Sequence, residues 1–308
     1  MTKLAGLFVP LITPFAADGE LAEAALERLA HRVLDDGATG IVALGTTAEH
    51  ATLTDAERTR VLQVCARVCG SRGAPLIAGA GGNDTARSAA ALTALRGYPE
   101  ICAALTVVPY YSRPGEAGVI EHVRALADSS PVPLVIYNIP YRTGQSLSWT
   151  AIGQLAALPA VAGIKHAVGG IDADTIQMMA RRPDGFEVLA GDDLYASPLL
   201  ALGADGAILA SAHIRTAEFA SLVGLWRSGQ AAQARDVGHL LAPLSAALFA
   251  EPNPAVIKAV LYRLGEIPSP AVRLPLLPAS EPAASAAMDA TCGPTGVARV
   301  PWMRSMSS

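Results

Sequence analysis

The residue with the clearest chemical potential in this sequence is a lysine at the end of an apolar run. The chain contains three lysines against twenty arginines, and Lys165 closes the run Val161-Ala162-Gly163-Ile164. A lysine at the end of a buried strand is partly desolvated, which disfavours its ammonium form and lowers its pKa. A neutral amine can attack a carbonyl carbon and form a Schiff base. The alternative is a lysine that extends to solvent or pairs with a carboxylate. The neighbouring residues distinguish between these two interpretations.

A tyrosine and two threonines end other apolar runs and could assist this chemistry. Tyr137 closes the run that precedes Lys165 along the chain, so in a parallel sheet the two side chains would be neighbours. Its phenol could then carry protons to and from a reacting group. Thr46 and Thr47 offer hydroxyls and backbone amides for a carboxylate, although a threonine pair after a strand is also a common turn sequence.

An arginine, a glutamate and two histidines complete the set of candidates. Arg142 follows Pro140 in a loop, and its guanidinium suits bidentate binding of a substrate carboxylate; the alternative is an ordinary surface arginine. We interpret Glu49 as a structural partner for loop amides. His50 and His166 flank the site in sequence, but no third ligand stands at a suitable spacing. We therefore predict neither a metal site nor a cofactor.

The elements that must position these side chains follow from a repeated alternation of strand-like and helix-like runs. Eight short apolar runs alternate with longer amphipathic stretches from the start of the chain to about residue 230, which is the pattern of parallel βα units. We predict a closed (β/α)8 TIM barrel; an open doubly wound sheet is the alternative, but no glycine-rich dinucleotide motif follows the first run. The predicted strands are Leu7 to Ile12, Gly40 to Leu44, Pro75 to Ala78, Ala104 to Val108, Leu134 to Tyr137, Val161 to Lys165, Phe186 to Ala190 and Gly206 to Leu209.

The part of the chain after the barrel differs in pattern. Residues 1–228 form the predicted barrel, and residues 229–278 form a C-terminal extension with helices over 230–249 and 254–264. Residues 279–308 are rich in Ala, Ser and Pro and show no periodic apolar face, so we predict a flexible tail. In a barrel of this kind the active site forms at the carboxyl ends of the strands, where the candidate residues stand.

Composition narrows the choice of partners. The net charge of −4 is small and the basic residues are scattered, so nothing indicates a partner among nucleic acids or anionic membranes. No window of eighteen apolar residues exists, and the apolar N-terminal stretch is interrupted by Pro10 and Pro14 without a basic lead. We therefore expect a cytoplasmic enzyme that acts on small molecules.

Seven short segments stand out along the chain: Gly45-Thr46-Thr47-Ala48-Glu49, Ala78 to Asn83, Val108 to Pro114 with Pro109-Tyr110-Tyr111, Tyr137 to Gly144, Gly163-Ile164-Lys165, Gly191-Asp192-Asp193 and Glu251-Pro252-Asn253-Pro254. Taken together and in this order, they resemble the dihydrodipicolinate synthase and N-acetylneuraminate lyase family of pyruvate-dependent class I aldolases. The resemblance extends from Leu7 to about Pro278, and its double threonine is typical of the synthase branch, which condenses pyruvate with aspartate semialdehyde.

The resemblance implies a role for each candidate. Lys165 would form the Schiff base with pyruvate, and Arg142 would bind the carboxylate of a small aldehyde substrate. Thr47 would hold the pyruvate carboxylate. The resemblance further implies a homotetramer built from close dimers, with Tyr111 acting across a subunit contact. The proton relay would consist of Tyr137, Thr46 and Tyr111, and backbone groups near Gly191 and Ile208 would line the pyruvate pocket.

Three residues depart from the family pattern beside the site. Ala48 stands in place of a glycine, His50 in place of a serine and His166 in place of a glutamate. A methyl group at position 48 would affect a turn that needs glycine, and His166 would change the charge beside the nucleophile. These departures keep two alternatives open: an aldolase of the same family that cleaves a sugar-derived or aromatic 2-oxo acid, and a non-catalytic 2-oxo acid binding protein.

Overall fold

Eight parallel strands close into a barrel in chain order, as the computed structural model shows. The structure describes residues 3–292. The predicted fold is confirmed, and each predicted strand overlaps an observed one. The strands are β1 (Gly6–Pro10), β2 (Gly40–Ala43), β3 (Leu76–Gly79), β4 (Ile101–Val107), β5 (Leu134–Asn138), β6 (Val161–His166), β7 (Glu187–Ala190) and β8 (Gly206–Ile208).

Helices surround the barrel and continue beyond it. A capping box of Thr54 and Glu57 starts helix α2. The helices are α1 (Glu23–Asp35), α2 (Asp55–Arg72), α3 (Thr85–Ala94), α4 (Gly115–Ser129), α5 (Pro140–Thr143), α6 (Trp149–Ala156), α7 (Ala173–Arg181), α8 (Ala196–Ala201), α9 (Thr216–Arg227), α10 (Ala231–Leu248), α11 (Ala255–Arg263) and α12 (Glu281–Cys292).

The alternation of side chains along the strands decides which residues reach the barrel interior. Successive residues of a strand point to opposite faces, so Val135 and Tyr137 of β5 pack inside the barrel while Leu134 and Ile136 pack against the helices. Strand β6 can approach β7 because residue 163 is glycine: a Cβ there would lie 2.2 Å from the carbonyl oxygen of Glu187. Strand β6, which carries Lys165, therefore lies close against β7.

The C-terminal part differs from the sequence prediction. The helices expected over 230–249 and 254–264 are present as α10 and α11, but the flexible tail predicted from residue 279 is wrong over Glu281–Cys292, where α12 packs against both of them. Its small apolar residues, among them the buried Ala284 and Ala287, allow close contact that a search for large apolar residues overlooks. Residues 293–308 of the predicted tail lie outside the described residues.

Within residues 3–292, none of the helices combines the length and the apolarity that crossing a bilayer requires.

The packing of α12 predicts a difference between two neighbouring alanines. Ala287 is buried, whereas Ala286 is exposed. Because an unpaired carboxylate is costly to bury, Ala287→Glu should lower the melting temperature by about 5 °C or more, and the control Ala286→Glu should change it by about 1 °C at most. Differential scanning calorimetry checks this. Equal effects of the two variants would show that α12 is not docked.

Candidate active site

Lys165 and Tyr137 meet at the carboxyl end of the barrel. They are paired in the register of β5 and β6, and the Lys165 Nζ lies 4.1 Å from the centroid of the Tyr137 ring. Each side chain is only 6% exposed. The neighbour relation predicted from the sequence is therefore present, and the amine lies in a largely dry environment against an aromatic face.

Burial changes the proton affinity of both groups. Loss of hydration, aided by the charge of nearby Arg142, lowers the pKa of Lys165 to about 8, while Asp193 opposes the shift. Burial also raises the pKa of Tyr137 well above its ordinary value, an effect that the Thr46 side chain partly offsets. About a tenth of Lys165 is thus the neutral amine at pH 7, and Tyr137 keeps its proton.

The threonine pair lies in a short 3-10 helix, Thr46–Ala48, directly after β2. The loop uses left-handed backbone at Leu44 and Glu49, with φ of 56° and 54°. Ala48 is not one of these positions, so the expected disturbance by its methyl group does not arise. Asn253 holds the loop from the C-terminal side, because its Nδ2 donates to Thr47 Oγ1 at 3.0 Å.

Glu49 is tied to a fully buried lysine. Lys258 Nζ donates to Glu49 Oε1 at 2.5 Å and to the carbonyl oxygen of Ala271 at 2.8 Å. The backbone N–H of Arg273 donates to Glu49 Oε2 at 2.8 Å. Glu49 is therefore a structural partner, as we expected, and one of its partners is a loop amide, that of Arg273; the ammonium of Lys258 was not expected.

A cavity of about 410 Å³ opens in front of Lys165 and contains most of the predicted site residues. Gly191 must be glycine, since a Cβ there would lie 2.6 Å from Lys165 Cγ. Arg142 is held at the rim by its short helix α5, where its Nε donates to the Tyr141 hydroxyl at 3.0 Å. The predicted residues that line this cavity are Lys165, Tyr137, Thr46, Thr47, Arg142, Gly191 and Ile208.

Tyr111 does not join this cavity within one chain. It is 91% exposed and has left-handed backbone with φ of 66°. A second cavity of about 260 Å³ lies beside the first and shares Thr46, Tyr137 and Arg142 with it. Tyr110, which the sequence did not single out, lines that second cavity.

The two histidines lie on different sides of the strands. His50 lines the second cavity, with Nδ1 at 3.2 Å from the carbonyl oxygen of Gly45. His166 turns away from Lys165 towards α7, and its Nε2 lies 2.9 Å from the Thr175 hydroxyl. Burial lowers the pKa of His166 to about 4, so this residue is neutral at neutral pH and brings no charge where the family pattern has a glutamate.

Three contributors to the site were missed by reasoning from residue types. Asp193 lines the main cavity, Asn253 binds Thr47, and Lys258 neutralises Glu49. Two of them stand in segments that carry the family resemblance, Gly191-Asp192-Asp193 and Glu251-Pro252-Asn253-Pro254, which was the available signal. Lys258 had a signal of another kind, since it is one of three lysines in the chain.

The fold and site define a barrel enzyme of the class I, Schiff-base-forming kind. The dihydrodipicolinate synthetase family model matches residues 3–291, and the chain belongs to that family. It is similar to 4-hydroxy-tetrahydrodipicolinate synthase 2 of Clostridium acetobutylicum, with 37% identity over 91% of this chain and 96% of that one. The synthase of Syntrophus aciditrophicus is 40% identical over 88% of this chain and 91% of its own length.

A solved structure agrees with both fold and family. The chloride-inhibited dihydrodipicolinate synthase of Acinetobacter baumannii, complexed with pyruvate, superimposes with a TM-score of 0.88 at 34% identity. The match covers 93% of this chain and 99% of that one.

The buried pair of Lys258 and Glu49 predicts a large loss of stability when only one partner is removed. Lys258→Met leaves the Glu49 carboxylate buried without its cation, so the free energy of unfolding in urea should fall by about 3–5 kcal/mol. The exposed pair between Arg67 and Glu27, 2.9 Å apart, provides the control: Glu27→Gln should cost about 1 kcal/mol at most.

A double variant separates pairing from packing. Lys258→Met combined with Glu49→Gln leaves no unpaired charge, so its loss of stability should be smaller than the sum of the two single losses. Additive losses would show that the two charges do not stabilise each other.

Proposed function

We propose that this protein condenses pyruvate with aspartate semialdehyde through a Schiff base on Lys165, the reaction of the 4-hydroxy-tetrahydrodipicolinate synthases. The observation that carries this proposal is the buried amine of Lys165, which faces Tyr137 in a cavity also lined by Thr46, Thr47 and Arg142. The names of the relatives and the pyruvate complex of the Acinetobacter enzyme support it.

The proposed first half-reaction follows from the proton affinities of the site. Neutral Lys165 attacks the keto carbon of pyruvate, while Thr47 holds the carboxylate. Tyr137, with Thr46 beside it, supplies the proton that lets the former carbonyl oxygen leave as water. Because Tyr137 has a raised pKa, it is protonated at the start and can take the proton back afterwards. Removal of a methyl proton then produces an enamine.

In the second half-reaction the enamine carbon attacks the aldehyde carbon, the aldehyde oxygen takes up a proton and becomes a hydroxyl, and the enamine returns to a protonated imine. The amino group of the second substrate then displaces Lys165 from this imine and frees the lysine. Arg142 at the cavity rim binds the carboxylate of this second substrate, for which a guanidinium has the right geometry. Gly191 and Ile208 contribute wall and backbone groups to the pyruvate end of the cavity. The sequence of steps needs no cofactor.

Tyr111 completes the relay in our proposal by reaching the site of a neighbouring subunit. Its exposure and left-handed backbone support this placement, as does the second cavity next to Thr46 and Tyr137. We propose a homotetramer of close dimers, and light scattering measures this assembly directly. We also propose that the enzyme works in the cytoplasm.

Trapping with borohydride tests the nucleophile. Incubation with pyruvate and reductant should add the mass of one reduced pyruvyl group at Lys165. The buried Lys258 should gain no label, and the Lys165→Ala variant should stay unlabelled. Because the neutral amine is the reactive form, the trapping rate should rise with pH through about 8 and level off above it. Peptide mass spectrometry locates the label. A label on any other lysine, or none at all, contradicts the proposal.

A coupled assay with aspartate semialdehyde tests the reaction. The wild-type protein should condense it with pyruvate, and Tyr137→Phe should keep the fold but lose about 10²–10⁴ in turnover, as for other lost proton-transfer groups. Circular dichroism controls for folding. No condensation at saturating pyruvate, together with cleavage of a sugar-derived or aromatic 2-oxo acid, would favour the other aldolase reaction. An unchanged rate in Tyr137→Phe would remove that residue from the mechanism.

A further inference from the structure

We propose that Asp193 is the counter-ion of the Schiff-base cation on Lys165, a role that rests on the proposed function and adds a residue to it. Asp193 follows β7, lines the main cavity together with Lys165, and is only 7% exposed. No residue proposed above for the reaction supplies a negative charge to the reacting nitrogen.

The geometry of the β7 turn directs Asp193 to this place. Gly191 packs directly against the Lys165 side chain, and its backbone N–H donates to the carbonyl oxygen of His166 at 2.8 Å. Asp193 stands two residues after Gly191, and its Oδ1 accepts a hydrogen bond from the backbone N–H of Ser211 at 2.5 Å. The carboxylate is thus fixed between the strands that follow Lys165 around the barrel, with one oxygen held by the backbone.

The charge balance of the reaction creates the need for such a group. Neutral Lys165 and the pyruvate anion take up one proton and release one water to form a protonated imine. The carboxylate of the substrate keeps its charge, so the site becomes more positive by one unit. Arg142 lines the same cavity, and its positive charge disfavours that change.

Tyr137 from β5 places its ring against the Lys165 nitrogen, and the charges of Arg142 from α5 and of Asp192 and Asp193 from the turn after β7 act on it. Only the last two are anionic, and Asp193 is the more buried of them. Burial raises the pKa of Asp193 to about 6, whereas its bonds to Ser211 and the charge of Lys165 oppose that rise. The carboxylate is therefore ionised in the range in which Lys165 loses its proton.

The substitution Asp193→Asn tests this role with little change of shape. Asparagine keeps an acceptor oxygen for the Ser211 N–H and removes only the charge. The rate of borohydride-trapped imine formation from pyruvate should fall about tenfold. In addition, the acid limb of the pH profile of kcat/KM for pyruvate should move down by about one unit, because Lys165 loses an anion that favours its ammonium form.

Two further variants show whether charge or shape is responsible. In Asp193→Glu the acid limb should return to nearly its wild-type pH. Asp192→Asn, which removes the less buried carboxylate beside Asp193, should shift the acid limb less than Asp193→Asn does. A slower Asp193→Asn enzyme with an unmoved acid limb would indicate a merely structural residue and overturn the proposal. An equal shift in Asp192→Asn would overturn it as well.

The same experiment separates this inference from the proposed function. Wild-type protein that traps pyruvate at Lys165, together with Asp193→Asn protein that behaves like wild type in rate and pH profile, overturns the counter-ion role alone. Wild-type protein that fails to trap pyruvate overturns both.

Discussion

Exclusion of water from the Lys165 amine is the constraint on which the rest of the site depends. An exposed lysine is charged at neutral pH and has no free electron pair to attack a carbonyl. The closed barrel leaves Lys165 only 6% exposed, and the Tyr137 ring covers the amine on the side facing β5. Gly163 and Gly191 serve the same end, because each permits an approach of chain segments that a methyl group would prevent.

The C-terminal helices belong to the site as much as the strands do. The loop that carries Thr46 and Thr47 leaves β2 through left-handed backbone at Leu44. Asn253, just before α11, binds Thr47, and Lys258, within α11, binds Glu49. A buried ion pair is weak evidence for stability, because desolvation offsets its attraction, but it fixes geometry strongly once formed. We infer that the extension maintains the threonine loop in position.

Sequence reasoning succeeded where the signal was local and periodic. Strands buried on both faces read as apolar runs, so the barrel, its strand ends and the pairing of Lys165 with Tyr137 could be predicted. It failed for α12, whose buried face consists of alanines in a segment rich in Ser and Pro. The ion pair of Lys258 with Glu49 was not predicted either, because 209 residues separate the two in the chain and only the folded structure brings them together.

Burial that makes an amine reactive also creates a difficulty for the steps that follow. Low polarity favours neutral Lys165, yet the imine that we propose it forms is a cation and is disfavoured by the same surroundings. Arg142, which in our proposal binds an anionic second substrate, increases this conflict. A buried carboxylate resolves it only if it is held at a fixed place, since a mobile one would raise the lysine pKa by direct pairing. The backbone N–H of Ser211 supplies that restraint for Asp193, so the turn after β7 sets the balance between a reactive amine and a stable Schiff base.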